Sequence, residues 1–210
     1  MITTVTEAKA VIWSLSQPSK MPCHGYSTPA AACPLGSKLA KIAGTICAFC
    51  YALKGRYLFR NVVRALAKRL ESLRDPQWVE AMAFLLNRPA YSRSGYFRWH
   101  DSGDIQGPWH LDKIAAVCRL TPHLTHWLPT REYPVVKAWL ATNDCPPNLT
   151  IRLSAARVDA KPPVRYGLPT SSVVSNPDQA TCPAPGQGGN CRDCRACWDP
   201  NVANVAYEVH

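Results

Sequence analysis

Ten cysteines stand among 210 residues, and eight of them fall into two sets of four. The later set is Cys182, Cys191, Cys194 and Cys197, whose last three members follow one another at Cys-x2-Cys spacing. Such short steps let one turn of backbone aim three thiolates at one face of a cubane iron–sulfur cluster, while the distant Cys182 closes the fourth corner. Zinc sites more often pair two Cys-x2-Cys units. Iron–sulfur ligation is therefore the first reading here, zinc the second, and disulfides the last. The earlier set is Cys23, Cys33, Cys47 and Cys50. It has one Cys-x2-Cys unit and two distant members, which suits zinc or iron–sulfur alike. His24 beside Cys23 is an alternative ligand but reads as an ordinary loop histidine. Cys118 reads as a buried thiol on a helix, and Cys145, before Pro146 and Pro147, as a loop thiol.

A second set of residues offers proton and ligand chemistry. His100-Asp101-Ser102-Gly103-Asp104 holds a histidine and two carboxylates around a glycine. His100, Asp101 and Asp104 are candidates for catalysis. Ser102, Gly103 and Asp104 are candidates for cofactor binding, since Gly103 admits close backbone approach and a carboxylate can take an ammonium group. The plainer reading is a turn with an aspartate capping the next helix. Thr130, Arg131 and Arg152 complete the cofactor-binding candidates. Either arginine can grip a carboxylate or phosphate, or serve in a salt bridge or a helix cap.

Alternating elements must position these groups. Residues 10–16 read as a short strand, followed by an irregular, cysteine-bearing stretch over 17–56. Helices are expected over 57–73, where Leu58, Val62, Ala65, Leu66, Leu70 and Leu73 keep near-helical spacing, and over 77–87 behind Asp75-Pro76. Strands are expected at 96–101, 124–129, 149–154 and 171–175, with helices at 109–120 and 133–142 between them. Strands alternating with helices predict a parallel sheet. Ligands of such sheets bind at the carboxyl ends of the strands, where these polar motifs fall. An irregular tail over 177–200 comes next, then an edge strand at 205–209. The expected organisation is a domain over 1–176 carrying the cysteine loop, with a cysteine-rich, cluster-binding tail over 177–210 packed on it.

Composition narrows the class. Hydrophobic residues make up 47% and charged residues 18%, which fits a globular chain and argues against disorder. No apolar run is long enough to span a membrane. The first residues lack a basic segment followed by an apolar one, so no secretory signal and a cytoplasmic setting are expected. The formal net charge is +10. Nine basic residues against Glu71 place +8 of it between Lys38 and Arg74. Arg60, Arg64 and Lys68 form one helical stripe there. Such a field favours an anionic small molecule or a nucleic acid, although a solvated helix face has the same signature. Trp13, Trp99 and Trp127 fall in expected strands and read as core.

These motifs carry two resemblances. A strand, a loop ending Cys47-Ala-Phe-Cys50-Tyr51-Ala52 and a helix resemble the opening of a radical S-adenosylmethionine (SAM) enzyme. That resemblance implies a partial (β/α) barrel and a [4Fe-4S] cluster held by three cysteines, with its open iron chelating SAM. Ser102-Gly103-Asp104 matches the place of the element that holds the amino group of SAM. The family's Cys-x3-Cys-x2-Cys pattern is not kept, because the first cysteine is displaced to Cys33 or Cys23. If four thiols hold one cluster, no iron is open; if three do, a site remains. A closer resemblance covers most of residues 23–200. Cys50-Tyr51-Ala52-x2-Gly55-x-Tyr57, Arg98-Trp99-His100-Asp101-Ser102-Gly103-Asp104 and Trp127-x2-Thr130 resemble the phage gene product 88 family, which implies architecture more than reaction, in the host cytoplasm if phage-encoded.

The resulting expectation is an α/β, radical SAM-like partial parallel barrel with both cysteine sets near its carboxyl-end rim. It would hold one or two [4Fe-4S] clusters, with SAM as a further cofactor, and act as a redox or radical enzyme on an anionic substrate such as nucleic acid. An electron donor is the implied partner. The alternatives are a zinc-stabilised nucleic-acid-binding module without catalysis and a simple electron carrier.

Overall fold

The computed structural model describes residues 1–209. Six parallel strands run in chain order: β1 (Gly25–Tyr26), β2 (Tyr96–Trp99), β3 (Thr125–Thr130), β4 (Leu149–Ser154), β5 (Thr170–Val174) and β6 (Asn204–Glu208). The order never reverses, unlike that of a doubly wound sheet. The sheet is open, with β1 and β6 at its edges. The helices are α1 (Val5–Ile12), α2 (Gly36–Leu39), α3 (Arg60–Ser72), α4 (Trp78–Leu86), α5 (Pro89–Ser92), α6 (Pro108–Leu120) and α7 (Tyr133–Leu140). No helix among the described residues is long and apolar enough to cross a membrane.

Strand alternation separates two faces. Phe97, Trp99, Leu128, Leu149, Ile151 and Leu153 pack with residues of α1, α4, α6 and α7 in the main core. The intervening positions Tyr96 and Trp127, with Val205 and Tyr207 of β6, gather instead with Cys23, Cys182, Cys197 and Trp198. Helices therefore cover one face, and the irregular tail covers the other. Trp198 fills the tail side, donating its indole N–H to Phe97 O at 2.9 Å and lying edge-on to Trp127.

Most expected elements lie where periodicity places them, within a few residues. The expected strand over 10–16 does not form. Thr4 and Glu7 make a reciprocal capping box that starts α1, and Ala8 and Ile12 bury one face of it. Ala10 to Ile12 are thus the last turn of a helix, ended by Trp13 in a left-handed conformation at φ 61°. A short apolar run has no periodicity to tell strand from helix end. The first strand lies inside the stretch expected to be irregular, as the two residues of β1. Trp13, expected in the core, is 37% exposed, whereas Trp99 and Trp127 are buried.

Candidate functional site

The position of β1 divides the earlier cysteine set. Cys23 precedes β1, while Cys33, Cys47 and Cys50 come after it, so they belong to opposite ends of the strand. Cys33 lies just after a short 3-10 turn over Ala30–Ala32, while Cys47 lies within another over Ile46–Phe49 and Cys50 ends it. Thr45 caps the second turn, its hydroxyl accepting from Ala48 N at 3.2 Å. That turn is fixed to the carboxyl end of β4. Ile46 N donates to Ala156 O at 2.9 Å, and Thr45 bridges Arg157. The Cys33 turn is fixed to the end of β3, where Leu35 N donates to Glu132 Oε1 at 2.6 Å.

Cys33, Cys47 and Cys50 then lie together. Burial pushes the Cys33 thiol up, and the neighbouring Asp104, Cys50, Cys47 and Glu132 push it further. Burial also raises Cys47, against the nearby Arg131 guanidinium. Gly36 forms a wall of this group. A Cβ there would stand 2.8 Å from Cys33 Cβ, 3.5 Å from Cys33 Sγ and 3.7 Å from Cys47 Sγ.

The strand-end motifs converge on the same rim in unequal ways. Asp104 is buried and both its oxygens are engaged, Oδ1 by Thr130 Oγ1 at 2.6 Å and Ile105 N at 2.8 Å, Oδ2 by Arg131 N at 3.0 Å. It ties the ends of β2 and β3 together. Burial raises its carboxyl, and these hydrogen bonds oppose the shift. Arg131 donates from Nε to Ala155 O at 2.9 Å, which leaves its two terminal nitrogens for an anion. Gly103 sits at φ +85°, where a Cβ would overlap Thr28 Oγ1 at 2.0 Å. Ser102 Oγ donates to Thr28 O at 2.8 Å, so Ser102 and Gly103 lock the turn onto the residues after β1. Asp101 receives the Tyr57 hydroxyl on Oδ2 at 2.9 Å and the Tyr51 hydroxyl on its carbonyl, while Oδ1 is buried without a partner.

Two candidates are not brought to this rim. His100, in a left-handed conformation at φ 54°, lies edge-on to His110 of α6 with ring centroids 5.4 Å apart. Both its ring nitrogens are buried without a partner, and burial beside Arg98 holds it at about 3. Arg152 is fully buried on the tail side. Its guanidinium donates to five backbone carbonyls, those of Cys197, Thr170, Val202, Ala196 and Asp199, at 2.8–3.3 Å. All five N–H groups are used, so Arg152 holds the tail and has none left for a carboxylate or phosphate ligand.

The second thiol group is not at the carboxyl-end rim. Cys182 and Cys194, Cys182 and Cys191, and Cys182 and Cys197 are near enough for their charges to act on one another. Cys197 Sγ lies 3.1 Å from the Tyr207 hydroxyl. Cys23 joins this group beside Cys191, and burial pushes its thiol up to about 12. Segments 20–21 and 189–191 run together there, with Cys191 N donating to Lys20 O at 3.2 Å. His24 turns to the edge of Tyr91, and Cys118 is fully buried.

Among the described residues no three His, Cys, Asp or Glu side chains converge as the ligands of one metal ion. A cubane differs, since each thiolate meets its own iron at a separate corner. Two features of the chain fit such a group. The side-chain-free wall at Gly36 leaves room beside the rim thiols. On the tail side, Arg98 Nε and Trp127 Nε1 are buried N–H donors without acceptors. Arg98 is a half-buried cation stacked on Trp127 at 4.6 Å, with no carboxylate at ion-pair distance, and its charge acts on Tyr51 and Asp101 as well as on Cys23, Cys191 and Cys197. An anionic, sulfide-rich group beside them would satisfy both donors.

Sequence spacing did not single out Gly36 or Thr28, and it placed Glu132 at the strand-end rim without a role. Tyr51, Tyr57 and Arg98 were legible as members of the family motifs, without a role. A family model described as Gene product 88 matches residues 2–200, and the chain belongs to that family. No curated protein and no solved structure gives a match.

Proposed function

We propose that this gene product 88 protein is an iron–sulfur protein of radical SAM-like or redox type. In this reading Cys33, Cys47 and Cys50 hold a [4Fe-4S] cluster by three corners, and Cys182, Cys191, Cys194 and Cys197 hold a second by all four. The observation that carries it is the separation of Cys23 from the other three cysteines of its set by β1. Three thiols leave one iron for an exchangeable ligand such as SAM.

Held by Cys33, Cys47 and Cys50, such a cluster would supply one-electron chemistry at the rim. The chain's own residues do the rest. Gly36 keeps the approach to the thiols open. Arg131 offers two guanidinium nitrogens beside Cys47 for a carboxylate. Asp104 spaces the ends of β2 and β3 and keeps Arg131 in place through its backbone. Tyr51 and Tyr57 hold Asp101, whose free Oδ1 is available to an ammonium or hydroxyl group. Arg98 would offset the charge of the second cluster, and the Trp127 indole N–H would donate a hydrogen bond to it.

The test is iron, acid-labile sulfide and zinc per chain after anaerobic purification, with spectra before and after dithionite. About eight iron and eight sulfide are expected. Cys47→Ala should lose about half of each, Cys194→Ala the other half, and Cys23→Ser neither. SAM should perturb the spectrum of the unsubstituted protein and of Cys194→Ala but not of Cys47→Ala. Loss of the rim cluster in Cys23→Ser would remove the open corner and with it the reading. About two zinc and no iron would replace it with structural zinc.

A further inference from the structure

Between Glu7 and Glu71 the chain carries no acidic residue. Within this span, residues 49–64 form a series of short turns leading into α3, directly after the rim cysteines. The surface they present is unusual in two respects. Large apolar side chains lie open on it: Phe49 is 56% exposed, Tyr51 49%, Leu58 63%, Phe59 59% and Val63 47%. Exposed cations stand among them at Lys54, Arg56, Arg60 and Arg64. The single ion pair among the described residues is Lys68 with Glu71 at 2.9 Å, so these four have no carboxylate partner. Arg64 also lies over the Trp13 ring at 5.8 Å, and two other basic residues of the region have intramolecular roles. Arg69 is buried and donates to Ser14 O at 3.0 Å, and Arg74 lies over Trp109 at 5.3 Å.

We infer that residues 49–64 are a docking surface for single-stranded nucleic acid, presented over the rim thiols. Charge complementarity selects a polyanion. The exposed rings select one with accessible flat faces, because bases stack on aromatic side chains only when unpaired. An anionic membrane would accept the cations but favours one continuous apolar face, whereas here rings and cations alternate within a few residues. Phe49 and Tyr51 flank Cys50, so a strand lying on this surface passes the thiol group. The inference rests on the iron–sulfur proposal only for the chemistry after docking; the binding itself needs no cluster.

The experiment is fluorescence anisotropy with the full chain, purified anaerobically. The probes are a labelled oligothymidylate about 20 nucleotides long and a duplex of the same length. KCl is varied from about 50 to about 200 mM. The single strand should bind more tightly than the duplex and weaken steeply with salt. Arg56→Gln and Arg60→Gln should each lower the slope of log affinity against log salt by about 0.7. Phe49→Ala and Phe59→Ala should each weaken binding roughly five- to a hundredfold at constant salt, with circular dichroism unchanged. Equal affinity for duplex, variants that bind like the parent, or binding to phosphatidylserine vesicles and not to the oligonucleotide would each overturn the inference. Iron and sulfide are counted on the same preparation. Binding without iron removes the iron–sulfur proposal and leaves this one; iron without binding does the reverse.

Discussion

The two thiol groups differ in how the fold supports them. The tail thiols are built into a face of the sheet. Trp198 and Arg152 anchor the segment between Cys194 and β6 through buried hydrogen bonds to β2, β4 and β5. The rim thiols hang from short 3-10 turns, fixed by the bond from Ile46 to Ala156, the bridge from Thr45 to Arg157 and the bond from Leu35 to Glu132. Around them the surface is open. On the proposed iron–sulfur reading, the tail group would serve permanent ligation and the rim group exchange with a ligand, although both consist of the same residue type.

The sharpest way to break this comparison is to remove the tail's anchor. Arg152→Met leaves five backbone carbonyls, two of them in fully buried hydrogen bonds, without their donor and should cost roughly 3–5 kcal/mol. Limited proteolysis should then cut within 177–203 while the rim loop stays intact. Unchanged protease resistance would mean that the tail is held by packing alone.

The next test compares two glycines. Gly103→Ala places a methyl group 2.7 Å from Thr28 O at a left-handed backbone position and should cost about 3 kcal/mol in urea unfolding. Gly36→Ala meets the Cys33 side chain at 2.8 Å, with Cys47 Sγ next at 3.7 Å, and should cost about 1–2 kcal/mol, yet remove iron from the rim site alone. Equal effects on stability and iron in both variants would dissolve the distinction between a frame position and a ligand-site position.

The smallest effect separates the fold from both thiol groups. His100 and His126 are held at about 3, below their ordinary 6.5, because burial disfavours the cation. Between those values the unfolded chain binds more protons than the folded one. Stability is therefore full above about pH 6.5 and is lost as pH falls, by about 1.4 kcal/mol per unit for each histidine. His126→Asn should flatten this slope in urea unfolding between about pH 5 and 7. A slope that persists unchanged would assign the acid sensitivity elsewhere.

Much of the frame is legible in the order of residues alone. Leu149–Ser154 and the helices after β2 and β3 are readable because their apolar periodicity and flanking turn residues agree. β1 is not, because two residues carry no period. That one omission also hides the division of the earlier cysteine set, since Cys23 and Cys33 read as parts of one loop. Asp104 and Arg152 are legible as polar groups at strand ends. Their partners are not, because Thr130, Ala196 and Val202 are near them only in space.

By itself the sequence determined the residue types available for chemistry, the parallel alternation of elements, the basic stretch and the family. Those properties depend on composition, local spacing and motif. Only the tertiary structure decided which thiols meet, which carboxylate and which arginine are already engaged, and which aromatic side chains remain exposed. Those outcomes depend on contacts between residues far apart in the chain, where a two-residue strand can send neighbouring cysteines to opposite ends of the sheet.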